Sequence, residues 1–483
     1  MTIDIIITVV YMVLINIIGI AFSRTRNIND YFLGGRSIHW SIVCLSIVAT
    51  ETSSLTFISI PGLSYVTGMG FLQVSLGYLL GRILVAWMLL PRYFEGSYDT
   101  VYQFLEKKFG KKSRKIISVI FHITRTLADS VRLVATAIPL TLLTGWDYRI
   151  SLLVIALTTF LYTFYGGIRS VIITDSLQLV LYIGCAFLGI YFASSAIPGK
   201  FTEIIKSIPL DKLKFLYSGF EGGQFRLFDS YNLFSGVIGG AFLSFASHGT
   251  DHLIVQRVLS CRDLSSARKA MVASGIFIVF QFALFLIFGL FLYLLFQGRT
   301  FPRSDDIIPY FIINHVPTGF RGLMLAGIFA AAMSTLSSTI NSLSSSTTMD
   351  LMSIDNRPWS DSQKLFFSRM VSLVWTAVLT ILAMLLNDTK NPLVEIGLSI
   401  ASITYGGMLG IFIMGRYLED FSDRSALVGV FVSIGLNALL ATLTSLFWLW
   451  YVAIGFTAAF MAGSFHNRIS KGRKTKRGQA NPG

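Results

Sequence analysis

The sequence has few charged residues and few cysteines. Charged side chains make up only 13% of the 483 residues, whereas hydrophobic residues make up 53% and aromatic residues 14%. This composition excludes an ordinary soluble protein and indicates a chain whose surroundings are mostly lipid. The three cysteines, Cys44, Cys185 and Cys261, lie far apart in or beside apolar segments. Their spacing argues against a disulfide framework and against a thiolate metal site.

The N-terminus lacks the features of a cleaved signal peptide. Residues 1–24 are strongly apolar, but they have neither a basic first part nor a small-residue cleavage site. We therefore expect this segment to remain as a first membrane span. The tail after Phe465 is too short for a signalling domain, which disfavours a sensor. A channel is also disfavoured, because the polar segments cluster near mid-membrane and are flanked by apolar sequence.

Apolar windows of span length predict an all-α polytopic membrane protein with about 13 transmembrane helices. We expect a single membrane domain that is surrounded by the lipid bilayer and has no obligate protein partner. The predicted spans lie near residues 3–23, 39–60, 65–91, 114–144, 149–166, 171–196, 230–256, 268–297, 321–349, 363–387, 391–415, 425–445 and 447–465.

The connections between these spans predict the orientation of the protein. Lysine and arginine gather in every second loop, and such loops face the cytoplasm, so the N-terminus is outside and the C-terminus inside the cell (plasma or inner) membrane. This topology accounts for most of the net charge of +14. A nucleic-acid partner is not expected, because the basic clusters are short and lack interleaved aromatic residues. The clusters are Arg24, Arg26 and Arg36; Lys107, Lys108, Lys111, Lys112, Arg114 and Lys115; Arg257, Arg262, Arg268 and Lys269; and the tail from Arg468 to Arg477.

The segment 330–349 carries far more hydroxyl groups than a lipid-facing helix would. At about 3.6 residues per turn, its polar residues fall on one helix face and an adjacent stripe. Neutral oxygen ligands at bilayer depth suit a singly charged hard cation that must leave again. Close packing between transmembrane helices is the alternative, because small hydroxylated residues also serve that purpose. The face carries Ala331, Ser334, Thr335 and Ser338, and the stripe carries Ser337 and Asn341.

The second predicted span is polar at its centre. It carries Glu51 among several hydroxyls, and Pro61 and Gly62 follow. Such a segment is plausible as a span only if its centre is broken and faces protein or water. We therefore predict an unwound turn whose free backbone carbonyls bind a cation. The alternative is a continuous helix rich in Ser and Thr, with Glu51 hydrogen-bonded inside the bundle.

Two further spans carry charges. In the fourth, Asp129 lies four residues after Arg125 and three before Arg132, a spacing that permits an ion-pair cluster. Because Asp129 can neutralise only one of the two arginines, the other is expected to bind an anionic group of a solute; a purely structural cluster is the alternative. In the sixth span, Asp175 is expected either as a solvated end residue or as a ligand for a cation.

The seventh predicted span introduces a different class of function. His248 and His252 lie four residues apart with Asp251 between them, which is the spacing of a helical metal pair. A membrane-embedded metal-dependent enzyme is therefore an alternative, although no other histidine stands in a motif that would complete its site. A cluster that guides the cytoplasmic gate is a second interpretation. The glycines of this span suggest a second broken helix, as in an inverted-repeat transporter; they are Gly236, Gly239 and Gly240.

Six segments, taken together and in order, resemble the sodium/solute symporter family. They are DYFLGGRS (30–37), ATETSSLTF (49–57), YDTVYQFLEKKFG (98–110), FYGGIRSVIITDSLQ (164–178), GTDHLIVQRVLSCRDLSSARKA (249–270) and AAAMSTLSSTINSLSSSTTMDL (330–351). The resemblance covers most of the chain and implies a LeuT-like 5+5 inverted repeat. It implies an extra helix at 3–23, repeat one at about 39–196, repeat two at about 230–415, extra helices at about 425–465 and a basic cytoplasmic tail at 466–483.

The resemblance also implies that Na+ is the coupling ion. The family's common sodium site falls on the backbone carbonyls of Ala49, Thr52 and Ala331 and the hydroxyls of Ser334 and Thr335. A second sodium site, which only some members have, corresponds to Asp175, Ser337 and Ser338, with Ser334 shared.

The solute is expected beside the broken second span. Glu51 matches a position where proline transporters carry Asp and sugar and sialic acid relatives carry a neutral residue, which leaves the solute class open. The expected function is sodium-coupled symport of a small polar organic solute by alternating access. A solute with a carboxylate, such as an amino acid or an organic or sugar acid, is favoured over a neutral sugar, and no enzymatic activity is expected. The candidate substrate residues are Glu51, Ser53, Ser54, Thr56, Phe71, Gln73, Ser75, Arg125, Arg132 and Tyr405.

Overall fold

The computed structural model describes residues 2–386 and 393–479, except residue 24 and residues 222–223, 226 and 228–230. Within these ranges the chain is almost entirely helical, as the apolar windows predicted. The extended structure in the same ranges is one hairpin, in which β1 (Phe220–Glu221) pairs antiparallel with β2 (Gln224–Phe225).

The first half of the chain contains two interrupted helices. The helices α3 (Trp40–Glu51) and α4 (Ser54–Thr67) meet at an angle of 64°. Helix α9 (Tyr148–Ser195) joins the predicted fifth and sixth spans and bends at Gly167, whose φ of 57° favours glycine. The remaining helices of this half are α1 (Thr2–Ala21), α2 (Ile28–Leu33), α5 (Leu72–Leu84), which continues through a π-helical turn into α6 (Leu90–Glu95), α7 (Gln103–Phe109), α8 (Lys111–Thr144), α10 (Phe201–Lys206) and α11 (Leu210–Leu213).

The second half begins with another broken helix. Helix α12 (Gly240–Gly249) ends and α13 (His252–Leu259) begins around Thr250 and Asp251, about ten residues later than the glycines of this span suggested. Those glycines serve packing instead, since a Cβ added to Gly240 would lie 2.7 Å from the carbonyl oxygen of Val74. The later helices are α14 (Leu264–Phe296), α15 (Ile307–His315), α16 (Phe320–Ser346), α17 (Asp361–Leu385), α18 (Leu393–Tyr417), α19 (Asp423–Leu443) and α20 (Trp450–Gln479).

Several helices present apolar side chains to their surroundings. On α1, for example, Ile6, Val13 and Ile17 are more than half exposed, as expected of a lipid-facing surface. Among the described residues, seven helices are long and apolar enough to cross a membrane, or eight if α3 and α4 form one span. The count of thirteen spans stays a prediction.

Helix α16 lies at the centre of the bundle. It packs against α9, α1, α8 and α17, and it also contacts α3, α4 and α13. Every residue of the chain from Met324 to Asp350 is buried. The hydroxyl-rich segment therefore contacts protein rather than lipid, at the point where both broken helices approach it.

Candidate sodium and solute sites

The unwound turn predicted in the second span lies between α3 and α4. Thr52 and Ser53 have non-helical backbone angles, with ψ values of 89° and 171°. The amide of Ser53 donates to the carbonyl of Glu51 (3.1 Å) rather than to that of Ala49, which a continuous helix would use. The alternative of a continuous helix is therefore wrong. The turn leaves the Ala49 carbonyl able to accept a cation.

The predicted hydroxyl ligands of the common sodium site are buried on α16. Thr335 donates to the carbonyl of Ala331 (3.2 Å), another predicted ligand. Ser334 donates to the carboxylate of Asp175 (2.7 Å). Because α16 packs on both α3 and α4, its predicted sodium ligands and the broken turn lie on adjoining elements. Their assignment as sodium ligands stays a prediction.

Asp175 is a fully buried carboxylate within α9. The interpretation as a solvated end residue is therefore wrong. Its oxygens accept hydrogen bonds from Ser46 (2.7 Å) and Thr50 (3.4 Å) of α3 and from Ser334 of α16. Ser338 lies beside this group, with 3.2 Å between its hydroxyl and that of Thr50. Two helices, α3 and α16, thus surround the carboxylate of α9 with hydroxyl groups.

Arg257 of α13 completes the cluster around Asp175. Its Nη2 atom lies 3.2 Å from Asp175 Oδ2 and also contacts Ser338. The prediction that Arg257 belongs to a basic cytoplasmic loop is wrong, because the residue lies in α13 and its side chain is completely buried. Ser337, the third predicted ligand of the second sodium site, donates to the carbonyl of Ser334 within α16 (3.0 Å).

A cavity with about 510 Å³ of empty space, its mouth included, lies beside the broken turn. Its walls come from both interrupted helices and from α5, α8 and α18. Four predicted substrate residues line it, namely Glu51, Arg125, Arg132 and Tyr405. The other polar residues of its lining are Thr50, Tyr78, Ser244, Ser247 and His248.

A smaller cavity of about 260 Å³ also contains the side chain of Arg132. Two predicted substrate residues, Ser53 and Ser54, line this second cavity together with Asp129 and with Thr335 of the predicted sodium site. Arg132 therefore faces both cavities, and the smaller one is lined by predicted sodium and solute residues alike.

The other predicted substrate residues lie outside both of these cavities. Gln73 donates to the carbonyl of Tyr231 (2.6 Å) and accepts from the amide of Tyr217 (3.1 Å). Ser75 donates to a carbonyl of its own helix (2.7 Å), and Phe71 packs against other aromatic rings. None of these side chains is part of the lining of either cavity. The four residues in question are Thr56, Phe71, Gln73 and Ser75.

The arginines around the cavities are all paired with carboxylates. The pairs are Arg82–Glu51, Arg125–Asp251 and Arg132–Asp129. The expectation that either Arg125 or Arg132 lacks a carboxylate partner is wrong, because Asp251 of the second broken helix neutralises Arg125, with 2.6 Å between Nη2 and Oδ2. Three guanidinium groups and three carboxylates balance one another in this region.

His248, Asp251 and His252 do not converge on one point. Asp251 accepts from Arg125 and Tyr405, His252 Nε2 bonds to the hydroxyl of Ser345 (3.0 Å), and His248 lines the larger cavity. In the part of the chain that the structure describes, no three His, Cys, Asp or Glu side chains are arranged to hold a metal ion. The structure does not support the metal-enzyme alternative.

The sequence did not reveal two of the arginines that pair with predicted site residues. Arg82 pairs with Glu51, and Arg257 pairs with Asp175. Arg82 is a lone charge in the otherwise apolar third span, and a charge within a span is itself a signal of a pair or a binding site. Arg257 was assigned to a loop because other basic residues follow it closely. Its position directly after the predicted span 230–256 offered no comparable signal.

Known proteins resemble this chain over most of its length. The profile of the sodium:solute symporter family matches residues 31–435. The sodium/sialic acid symporter NanT of Aliivibrio fischeri is 28% identical over 468 residues, which are 94% of this chain and 90% of that protein. The human sodium-coupled monocarboxylate transporter 2 is 25% identical over 441 residues, which are 87% of this chain and 69% of that protein.

A solved structure has the same fold. It is described as the substrate-bound outward-open state of a Na+-coupled sialic acid symporter with a novel Na+ site, and it superposes with a TM-score of 0.86 at 26% identity. The superposition covers 97% of this chain and 98% of that one. The relatives and this fold neighbour are sodium-coupled transporters rather than enzymes.

Proposed function

Because the chain belongs to the sodium:solute symporter family, we propose that it couples the inward movement of sodium to the uptake of a small polar solute that carries a carboxylate. Na+ is the coupling ion of the family. The names of two relatives refer to sialic acid and to monocarboxylates, which are acids, and this supports the same class of solute here.

The observation that carries the proposal is the position of Arg132. Its side chain lines both cavities, and its Nη1 atom binds Asp129 at 3.1 Å. Among the described residues, Nε and Nη2 of Arg132 have no hydrogen-bonded acceptor, whereas Arg125 uses the same two atoms on Asp251 and Tyr405. Two free donors of a guanidinium match the two oxygens of a carboxylate. We therefore assign the carboxylate of the solute to Arg132.

The lining of the larger cavity offers a second polar contact. Nδ1 of His248 bonds to the hydroxyl of Ser247 (2.9 Å), while Nε2 is buried, without a hydrogen bond, 3.7 Å from the carboxylate of Glu51. A hydroxyl or ammonium group of the solute would give His248 the missing partner. A hydroxylated acid or a zwitterion would thus bind both Arg132 and His248.

The charge balance around the cavities suggests how sodium and solute are coupled. A carboxylate that enters alone adds an unbalanced negative charge to a region whose three ion pairs already cancel. A sodium ion on the neutral oxygens near Thr335 would compensate that charge. Because Thr335 and Arg132 line the same smaller cavity, each ion would lower the electrostatic cost of binding the other.

The overall layout follows the family resemblance. In this proposal the interrupted pairs α3/α4 and α12/α13 are the central helices of two inverted five-helix repeats, with one extra helix before the repeats and two after them. The N-terminus lies outside and the C-terminus in the cytoplasm. Sodium binding between α16 and the broken turn favours the outward-open state, and solute binding then permits closure and opening to the cytoplasm.

The proposal is tested by uptake into proteoliposomes. A sialic acid, a short monocarboxylate, an amino acid and a neutral sugar are each offered with an inward sodium gradient and, as a control, with potassium in its place. We expect sodium-dependent uptake of at least one acid, and competition among the acids that share the site. Sodium-dependent transport of the neutral sugar, without competition from any carboxylate, would favour a sodium–sugar symporter instead.

A further inference from the structure

We propose that Arg257 is a tethered cation that competes with sodium for Asp175, so that a sodium ion reaches this carboxylate only when the guanidinium leaves it. The inference rests on the proposed function, because it assumes that the protein binds sodium. It adds a residue that was not part of either predicted sodium site.

The guanidinium of Arg257 uses the oxygen atoms that the second sodium would need. Its Nη2 atom lies 3.2 Å from Asp175 Oδ2 and contacts the hydroxyl of Ser338, and both residues are predicted ligands of that sodium. Its Nε atom donates to Ser46 (3.0 Å), whose hydroxyl also donates to Asp175 (2.7 Å). The carbonyl of Leu253 accepts from Nη1 (2.6 Å). The arginine thus makes contacts like those of a bound cation.

Electrostatics makes the two occupants mutually exclusive. The side chains of Arg257 and Asp175 are completely buried, so their charges interact in a medium of low dielectric constant. One carboxylate can neutralise one unit of positive charge. A sodium ion placed a few ångströms from the guanidinium would leave a buried positive charge without a partner, which is costly.

The competition would connect ion binding to the second broken helix. Arg257 is on α13, whereas Asp175, Ser46 and Ser338 are on α9, α3 and α16. While the guanidinium occupies the site, it ties α13 to these three helices. A sodium ion that replaces the guanidinium neutralises Asp175 and releases α13. This helix begins directly after Asp251 and forms part of the wall of the larger cavity. Whether sodium or Arg257 occupies the site would therefore control whether α13 can move relative to the other three helices.

The experiment measures the binding of radioactive sodium to the purified full-length protein in detergent. Arg257→Met removes the charge at similar length, and Arg257→Gln removes it while keeping a donor for the Leu253 carbonyl. Arg257→Lys keeps the charge. Arg268→Met is the matched control, because Arg268 donates to a backbone carbonyl (3.0 Å), stacks on Trp87 and has no carboxylate partner among the described residues.

We expect Arg257→Met and Arg257→Gln to bind one more sodium ion than the wild type over the same concentration range, or to half-saturate that site at a sodium concentration about tenfold lower. Arg257→Lys and Arg268→Met should resemble the wild type. Adding Asp175→Asn to Arg257→Met should abolish the gain. An unchanged number and affinity of bound sodium ions in both neutral variants would overturn the proposal.

A structure of the wild type at saturating sodium gives an answer even if the neutral variants do not fold. A cation on Asp175 together with a displaced Arg257 supports the competition. A cation on Asp175 with the guanidinium still in contact overturns it, as does a guanidinium that stays in place while a second sodium binds elsewhere. Absence of any sodium binding by the wild type would contradict the proposed function, which is a separate outcome.

Discussion

Arg125 on α8 holds Asp251 at the break between α12 and α13, with 2.6 Å between Nη2 and Oδ2. The same carboxylate accepts from Tyr405 on α18 (2.7 Å), and its other oxygen caps α13 by accepting from the amide of Leu253 (2.9 Å). Asp251 thus joins a helix end to two neighbouring helices. This relationship indicates a structural role for Arg125, and our proposal therefore assigns the solute to Arg132.

The first prediction concerns the stability of this junction. Asp251→Asn keeps an oxygen that can cap α13 but leaves the buried charge of Arg125 without its close partner. Removal of one member of a buried pair costs about 3–5 kcal/mol. We expect a clearly lower unfolding temperature in detergent, measured by differential scanning fluorimetry. The double variant with Arg125→Met should recover part of the loss, and a single variant as stable as the wild type would contradict the structural role.

The second prediction concerns the common sodium site. Ser334→Ala and Thr335→Ala each remove one of about five oxygen ligands. The sodium concentration for half-maximal uptake should therefore rise at least several-fold in each variant. The larger effect is expected for Ser334, because its hydroxyl also donates to Asp175.

Ser344→Ala is the control for these variants. Ser344 is a buried serine of the same helix whose hydroxyl donates to the carbonyl of Ile340 (2.6 Å), away from both predicted sodium sites. Its sodium dependence should match that of the wild type. If Ser334→Ala and Thr335→Ala also match the wild type, α16 carries its hydroxyls for packing alone and the common-site assignment is wrong.

The third prediction concerns recognition of the solute. Lysine at position 132 keeps the positive charge but cannot reproduce the two parallel hydrogen bonds of a guanidinium. Arg132→Lys should raise the KM for an acidic solute by about tenfold or more, while sodium binding without solute stays unchanged. Uptake assays over a range of solute concentrations test the first effect, and sodium binding to the purified protein tests the second. An unaltered KM would mean that a group other than Arg132 binds the carboxylate of the solute.

The fourth prediction concerns the packing of α5 against residues 236–237, which lie just before α12. A Cβ added to Gly77 would lie 2.5 Å from the carbonyl oxygen of Val237 and 2.7 Å from that of Gly236. Because backbone atoms cannot yield, Gly77→Ala should destabilise the protein by about 1–3 kcal/mol. Gly184 on α9 has no atom within 4 Å of such a Cβ. Gly184→Ala should therefore leave the unfolding temperature unchanged or raise it, since alanine favours a helix over glycine. Equal unfolding temperatures for the two variants would contradict this packing.

The break in the second span could be predicted from local chemistry. A carboxylate and several hydroxyls around Glu51 are incompatible with a continuous lipid-facing helix, whatever the rest of the chain does. The burial of segment 330–349 followed from the same reasoning. By contrast, the glycines at 236–240 gave a wrong position for the second break, because glycine serves close packing as well as chain reversal.

The partners of the charged residues could not be predicted. Spacing along α8 suggested that Arg125 and Asp129 form a pair, but spacing describes only neighbours on one helix. Asp251, the actual close partner of Arg125, lies 126 residues away along the chain. Arg257 appeared to belong to a loop for the same reason, since nothing near it in the sequence shows that it reaches Asp175.

The sequence by itself determined the class of protein, the helical fold, the broken span and the buried hydroxyl-rich helix, because each depends on whether a local segment is stable in lipid. Only the tertiary structure decided which arginine is left with free donors and which cation sits on Asp175. Those outcomes depend on the contacts between helices distant in the chain, and a buried charge takes its properties from the partner that packing brings within a few ångströms.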